Sequence, residues 1–445
     1  MFQTLLVLLA LTLCAQQAVA QAVFAHVIVG NNGAYTLANW ESDIRLAASK
    51  GIDAFVLNIA PPVEGTVADQ TALAFQAANS VANGFKLFFS FDYLGSGVPW
   101  ETGDIVTLLK QYGWDRAYYK YNGKPFVSTF EGPTNSDVGQ WATIRQQVPI
   151  YFVPDWSSQG PGFEMDLYDG AFSWDMWPKG PNNMTMDVDK SWQGSLQPAK
   201  KTYMMGVSPW FYTDLPAYNK AWVWRGDMTW ARRWRQVLKV LPEFVEIVTW
   251  NDYGESHYVG PIFEPGIPQA ENADARSYVL NNPHEAWLET LPYQIAAYKH
   301  AFNPSNPAPS VAKGEDKIVY WYRTAPASAG TTRATGNACM SPINTSPQDE
   351  RCYPIEEIME DGIFVLALLS SPGWVSVAVG DGPPQRFEGL GAGLNHLSRP
   401  FGGEVGNVTV RSSTGVVGEG TAILSAPANG VANFNAWVGC AGHCS

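Results

Sequence analysis

Residues 85–93 read FKLFFSFDY, a largely apolar run of strand length that is interrupted by Lys86 and Ser90 and closed by Asp92 and Tyr93. Seven further runs of this kind follow the chain: 26–31 (HVIVGN), 52–59 (IDAFVLNI), 124–131 (KPFVSTFE), 150–156 (IYFVPDW), 171–177 (AFSWDMW), 202–210 (TYMMGVSPW) and 244–251 (FVEIVTWN). None alternates cleanly between apolar and polar, which is how strands read when helices cover both faces of a parallel sheet. Segments with helical spacing lie between them at 37–50, 68–82, 103–112, 137–147 and 226–241, and a last one spans 283–299. Thr36 stands where a helix cap belongs. The helix at 226–241 carries Asp227 in its first turn and Arg235 and Lys239 near its end, as the helix dipole favours. Eight such units within 21–303 predict a closed (β/α)8 TIM barrel. An open doubly wound sheet is the weaker alternative, because no glycine-rich dinucleotide loop follows the first strand.

The stretch PSNPAPSVAKGED at 304–316 reads as a linker. Beyond it the pattern changes. Segments 317–323, 363–369, 374–379 and 405–411 read as strands parted by Gly, Pro and Ser turns, with no amphipathic helix of normal length between them. That predicts an all-β sandwich over 317–445, an accessory domain behind the α/β barrel.

Composition narrows the function classes. The chain has 28 Lys and Arg against 41 Asp and Glu, a formal charge of −13, and no basic patch, so nucleic acid and anionic membrane are poor partners. The aromatic content stands out, with 18 Trp, 19 Tyr and 21 Phe, and 15 of the Trp lie before residue 300. At the N-terminus, MFQTLLVLLALTLCAQQAVA has an apolar run too short to span a bilayer and ends in Ala18-Val19-Ala20, a small-x-small cleavage pattern. Residues 1–20 are read as a secretory signal and the mature protein as secreted, extracellular and monomeric. Export makes Cys339, Cys352, Cys440 and Cys444 candidates for disulfides; sequence proximity favours 339–352 and 440–444. It also makes Asn183, Asn344 and Asn407 candidate glycosylation sites, each followed by x-Ser/Thr.

Barrel enzymes place their reacting groups at the C-terminal ends of the strands. There this sequence puts Asp92, Glu131, Asp155, Asp175, Asp252 and Glu255. One acid after a strand is commonly an Asx turn or a cap. Acids at five strand ends on one rim point instead to a ligand site. Aromatics accompany them: Tyr93, Trp156, Trp174, Trp177, Trp250 and Tyr253, with Trp210 after the seventh strand. Rings beside carboxylates suit a sugar, which offers an apolar C–H face and a rim of hydroxyls. Two carboxyl groups suffice to cut a glycosidic bond, with no cofactor and no metal. Asn58, at the end of the second strand, is a candidate amide contact, and His257 a candidate for orienting a carboxylate. There is no GxSxG, HExxH, Walker loop or CxxC, and the acids lack the dense spacing of a calcium loop.

The fragments GIDAFVLNIA, LFFSFDY, GKPFVSTFEG, YFVPDWSS, DGAFSWDMWP, VSPWFYTDLP and WNDYGESHYVGP, taken in order, resemble glycoside hydrolase family 71, the fungal α-1,3-glucanases or mutanases. The resemblance spans about residues 24–300. It implies a secreted (β/α)8 hydrolase that cuts α-1,3-glucan with inversion of the anomeric centre, and it places catalysis on Asp252 and Glu255. Inversion requires two carboxyls roughly 6.5–9.5 Å apart to admit a water. Glu255 is expected as general acid and Asp252 as general base, with Asn58, Asp92, Tyr93, Glu131, Asp155, Asp175, Tyr253, His257 and the tryptophans as substrate-binding residues. A glycosidase of other linkage specificity and a non-catalytic carbohydrate-binding protein are the competing readings, and a metal-dependent hydrolase is a third.

Overall fold

The computed structural model describes residues 21–81, 84–337 and 353–445. The proposed leader 1–20, Cys339, Cys352 and Asn344 lie outside the described residues. Eight strands share one sheet: β1 (Ala22–Ile28), β2 (Ala54–Ile59), β3 (Lys86–Asp92), β4 (Lys124–Phe130), β5 (Tyr151–Phe152), β6 (Gly170–Ser173), β7 (Thr202–Val207) and β8 (Phe244–Ile247). They pair in parallel in the order β5-β4-β3-β2-β1-β8-β7-β6, and the two-residue strand Lys120–Tyr121 adds an antiparallel pairing to β4.

The curl of this sheet is set by its inward side chains. Alternate residues of a strand share a face, so Phe88, Ser90 and Asp92 point one way from β3. Leu87, Phe89 and Phe91 point the other, where Phe89 meets Phe75 and Tyr112 of the covering helices. On the inner face, Phe24, Phe88, Phe126 and Phe244 meet ring to ring. Centroids are 4.9 Å apart for Phe24–Phe88, 4.8 Å for Phe88–Phe126 and 5.0 Å for Phe126–Phe244. Since β4 and β8 stand four places apart in the order, that last contact requires the sheet to fold back on itself. Its two ends approach at Asp155, whose isolated bridges run to Phe130 at the end of β4 and to Phe172 in β6.

Helices follow the strands: α1 (Leu37–Ser49), α2 (Thr66–Ser80), α3 (Thr102–Tyr112), α4 (Gln140–Gln147), α5 (Asp187–Leu196), α6 (Thr229–Val240) and α7 (Leu291–Phe302). Thr36 does cap α1: its hydroxyl accepts from Asn39 N and its own N–H donates to Asn39 Oδ1. Between β5 and β6 the described helical structure is the 3-10 turn Met165–Leu167.

Several expected boundaries shift for identifiable reasons. β1 starts at Ala22, four residues before the run taken for it, and β8 ends at Ile247, before the Trp250-Asn251 pair. β5 pairs only at Tyr151–Phe152, and Pro154, with no N–H to donate, follows. The segment 283–299 divides into a 3-10 turn, Glu285–Thr290, and α7, with Pro292 in its first turn. Asp227 does not serve the dipole of α6. It precedes the helix with φ 35°, is buried, and pairs with Arg225 at 3.2 Å. Burial pushes its carboxyl up to about 7, against the pull of Arg225 and Arg323.

After residue 316 the described residues include eight strands of two further sheets, β9 (Lys317–Tyr322), β10 (Gly362–Leu369), β11 (Gly373–Val379), β12 (Gln385–Leu390), β13 (Gly393–Pro400), β14 (Gly406–Ser412), β15 (Val417–Ile423) and β16 (Trp437–Gly442), besides the two-residue strand Thr335–Gly336. The eight make two four-stranded antiparallel sheets, β13-β10-β9-β16 and β12-β11-β14-β15. Ile318, Tyr320, Ile363 and Val365 from the first share a buried cluster with Val375, Val377, Val408 and Val410 from the second. The other face of β9 belongs elsewhere. Val319 and Trp321 lie in the core of the parallel sheet and its helices, and Trp321 Nε1 donates to Asp227 O at 2.8 Å. Cys440 and Cys444 form a disulfide.

Phe126 is fully buried against three other phenylalanines. Phe126→Ala should lower the unfolding free energy by about 3–5 kcal/mol. The measurement is the denaturant midpoint at constant slope; an unchanged midpoint would show that the ring cluster is not what holds the curl.

Candidate active site

The segment after β8 carries two carboxyls on a short, heavily bonded loop. Thr249 Oγ1 accepts from Asp252 N at 2.8 Å, and Asp252 Oδ1 accepts from Glu255 N at 3.1 Å. The Thr249 hydroxyl also lies 3.1 Å from His257 Nδ1, and His257 Nε2 lies 3.0 Å from Glu255 Oε2. With the hydroxyl proton given to Nδ1, the imidazole N–H faces Glu255. The other oxygen, Glu255 Oε1, is held by Lys220 Nζ at 2.5 Å. Lys220 comes from a hairpin, Tyr212–Leu215 and Lys220–Val223, inserted between β7 and α6.

These contacts divide the pair electrostatically. Burial raises Asp252, and the charge of Glu255 raises it further, against His257 and Lys220. Burial also pushes Glu255 up, but Lys220 and His257 more than offset it and hold that carboxyl well below the usual range. Of the two carboxyls, Asp252 is therefore the one that holds a proton more readily and Glu255 the one that gives it up. The pair is also close. One ligand atom each from Asp252, Glu255 and His257 lies within 4.8 Å of the others, the single metal-like group among the described residues. Lys220 already occupies a Glu255 oxygen, and its fixed charge opposes a cation there.

The other strand ends carry the remaining acids, bonded by neutral donors of their own loop or of a neighbouring one. Asp92 Oδ1 accepts from Leu94 N and Gly95 N, both at 2.8 Å. Glu131, at φ 53°, takes Ser158 N at 3.1 Å and Ser158 Oγ at 2.5 Å. Asp155 Oδ1 takes Ser157 N at 3.1 Å and Ser157 Oγ at 2.5 Å, while its Oδ2 is buried with no hydrogen-bond partner among the described residues. Burial raises Asp92, Glu131, Asp155 and Asp175; Asp155 stands well above its ordinary value because Glu131 adds to its burial. Asn58 is buried on β2 beside Asp92, whose ionised form it helps.

The tryptophans divide sharply. Ten of the 15 before residue 300 are buried, while Trp114, Trp174, Trp177, Trp222 and Trp224 keep exposed surface. Trp156, Trp210 and Trp250, expected to stack on sugar, are among the buried ones. Trp210 Nε1 donates to Phe434 O and Trp250 Nε1 to Asp43 Oδ2, both at 2.9 Å. Tyr253 is buried too, its hydroxyl donating to Pro261 O at 2.8 Å, and Tyr93 is covered. In the ligand-free protein all five rings are covered by their neighbours. Trp174 and Trp177 remain half-exposed, and Trp177 lies 5.6 Å from the His257 ring.

The description Glycosyl hydrolase family 71 fits residues 19–444 of this sequence. The chain belongs to that family. Curated relatives agree along its length. A glucan endo-1,3-alpha-glucosidase of Schizosaccharomyces pombe is 35% identical over 431 residues, covering 94% of each chain. A mutanase of Penicillium rubens is 36% identical over 384 residues, covering 82% of this chain and 76% of the relative. An ascus wall endo-1,3-alpha-glucanase of Schizosaccharomyces pombe is 29% identical, covering 68% and 71%.

In this family 71 chain, sequence reading missed Lys220, Thr249 and Trp222. Lys220 had a readable signal, because Pro216 and Asn219 break two short alternating runs as a hairpin turn does. Its contact with a residue 35 positions away had none. Trp222 stacks on Phe211 with centroids 6.0 Å apart, and Phe211 in turn borders His257.

The raised Asp155 carboxyl gives a signed expectation. A folded-state value above the unfolded one stabilises the protein below pH ~4 and loses that contribution as pH rises through the folded value. Asp155→Asn keeps the acceptor for Ser157 and removes the charge. Its melting temperature should therefore gain on that of the wild type as pH rises above ~4. Calorimetry at several pH values measures this, and a difference that stays constant would contradict it.

Proposed function

We propose that this protein is a secreted endo-acting hydrolase of α-1,3-glucan, with Asp252 and Glu255 as the reacting carboxyls. One observation carries the reading: of two adjoining carboxyls on the loop after β8, Glu255 is held by Lys220 at 2.5 Å and His257 at 3.0 Å, which lowers it, while burial raises Asp252. Cleavage needs such a pair, one group to protonate the glycosidic oxygen and one to take a proton from water. The ligand-free charges favour Asp252 as the acid and Glu255 as the base. The relatives named above, a glucan endo-1,3-alpha-glucosidase and a mutanase, support α-1,3-glucan as the substrate.

The water attacks C1 while the C1–O bond breaks. Its proton passes to the base, and the leaving oxygen takes the proton of the acid. We read this as inversion, in which the two carboxyls stand roughly 6.5–9.5 Å apart with the water between them. The side chain of Asp252 keeps 23% of its surface exposed, which leaves it room to move. That one oxygen of each carboxyl lies within 4.8 Å of the other favours a second reading. Retaining enzymes hold their carboxyls only ~5–5.5 Å apart and pass through a glycosyl-enzyme.

Trp174, Trp177 and Trp222 are the proposed stacking faces, with Asn58, Asp92, Glu131, Asp155 and Asp175 shaping the subsites. We also propose that the parallel sheet closes through Asp155 as a (β/α)8 barrel over 21–303, and that the two antiparallel sheets of 317–445 form a sandwich behind the linker 304–316. Removal of residues 1–20 on export, a monomeric product and glycosylation at Asn183, Asn344 and Asn407 complete the reading. Asn183 and Asn407 are exposed.

The test incubates the secreted protein with α-1,3-glucan, dextran and β-1,3-glucan while anomeric NMR follows the products. Soluble sugar from the first alone, released initially as the β-anomer, is expected; an initial α-anomer selects retention. Asp252→Asn and Glu255→Gln should each lower turnover at least ~100-fold, in line with the usual 10²–10⁴-fold effect of acid–base groups, with glucan binding retained. Binding without turnover in the wild type would point to a carbohydrate-binding protein. An α-1,3-glucobiosyl fluoride separates the roles, because fluoride leaves without protonation. Asp252→Asn should keep its hydrolysis, and survival in Glu255→Gln instead would restore Glu255 as the acid.

A further inference from the structure

The residue with the strongest hold on Glu255 comes from outside the loop that carries it. Lys220 Nζ sits 2.5 Å from Glu255 Oε1, with 29% of the Lys220 side chain and 18% of the Glu255 side chain exposed. The hairpin that delivers it rests directly on the loop. Tyr212 N donates to Glu255 O at 3.1 Å. Leu215 packs so closely over Gly254 that a Cβ there would come within 3.1 Å of Leu215 Cδ1. On its far side, the hairpin is tied to a segment beyond residue 316. Trp222 and Val223 pair in parallel with Thr335 and Gly336, Asn337 N donates to Val223 O at 2.7 Å, and Arg333 reaches Asp214 at 2.6 Å.

We propose that Lys220 is a positioning residue that fixes the charge and orientation of Glu255, and that segment 333–337 seats the hairpin which carries it. This rests on the assignment of Glu255 as a reacting carboxyl. An ammonium at hydrogen-bond distance favours the ionised carboxyl and restricts its rotation. The groups facing the pair are His257 and Asp252 on the loop, Asp92 at the end of β3, and Tyr278, whose hydroxyl donates to Gly254 O at 2.7 Å. Asp92 and Asp252 both act to hold Lys220 charged, as Glu255 does more strongly. The hairpin thus brings a cation into an otherwise acidic rim. The region after residue 316 acts on the reacting groups through backbone pairing.

The test compares wild type, Lys220→Met and Lys220→Arg. In Lys220→Met the acid limb of the kcat/KM profile should move up by about 1–3 pH units, the usual effect of an opposite charge at this range. kcat should fall at least ~10-fold at the wild-type optimum, with KM changed less than ~3-fold, as for a group that acts in the transition state. Lys220→Arg keeps the charge and should leave the acid limb within about half a pH unit of wild type. An even loss at all pH values with the limb unmoved in Lys220→Met would overturn the proposal.

A second measurement needs no turnover. A carboxyl held low in the folded state adds stability above its unfolded value and loses it as pH falls through the folded one. The melting-temperature advantage of wild type over Lys220→Met should therefore shrink from about pH 6 to pH 3. A constant advantage refutes the pairing. If the wild type releases no sugar but the advantage shrinks, the catalytic reading fails and the ion pair stands.

Discussion

Carboxylates gathered at strand ends repel one another and lose water, and both effects oppose ionisation where several acids converge. This molecule meets that constraint locally, one acid at a time. Asp92 is bonded by turn amides, Glu131 by Ser158 and Asp155 by Ser157, each through groups within a short loop or its neighbour. Glu255 alone among them receives a lysine, delivered across 35 residues of chain. The difference creates chemistry. Acids satisfied by neutral donors are pushed up, the acid satisfied by a cation is pushed down, and the rim acquires groups that hold protons more readily beside one that gives its proton up.

Below the rim, the inner face is graded along each strand. Phe88 gives way to Ser90 and then Asp92 on β3, and Phe24 gives way to His26 on β1. Glu246 follows Phe244 on β8 and bonds His26 Nδ1 at 2.7 Å. Close-packed rings at one end exclude water, and polar groups at the other admit a ligand. The rings let the sheet curl tightly while the acids stay at its mouth.

Much of this was legible because parallel strands buried on both faces leave a simple trace, an apolar run that stops at an acid. The trace fails where pairing is short. β5 keeps two paired residues because Pro154 interrupts the ladder, and β1 was misplaced because its start, AVFA, adjoins the apolar leader. Strands such as QRFEGL and GLNHLSRP were missed because an exposed edge of an antiparallel sheet has little need of apolar side chains. The motif holding Asp252 and Glu255 was readable as residues, but their charges were not, since those depend on Lys220 arriving through a hairpin. Nor could composition tell Trp250, sealed against Asp43, from Trp174, open at the rim. A large ring serves core and cleft equally well.

Strand β9 gives Ile318, Tyr320 and Tyr322 to one core and Val319 and Trp321 to the other, so a single backbone is a party wall between them. Neither side can melt without stripping the other of that wall. The chain should accordingly lose its structure in one concerted transition, despite two kinds of architecture and a mostly exposed connector at 304–316. A protease that nicked this connector would cut the covalent thread and leave the two pieces clasped. Durability is then a property of the seam rather than of the tether.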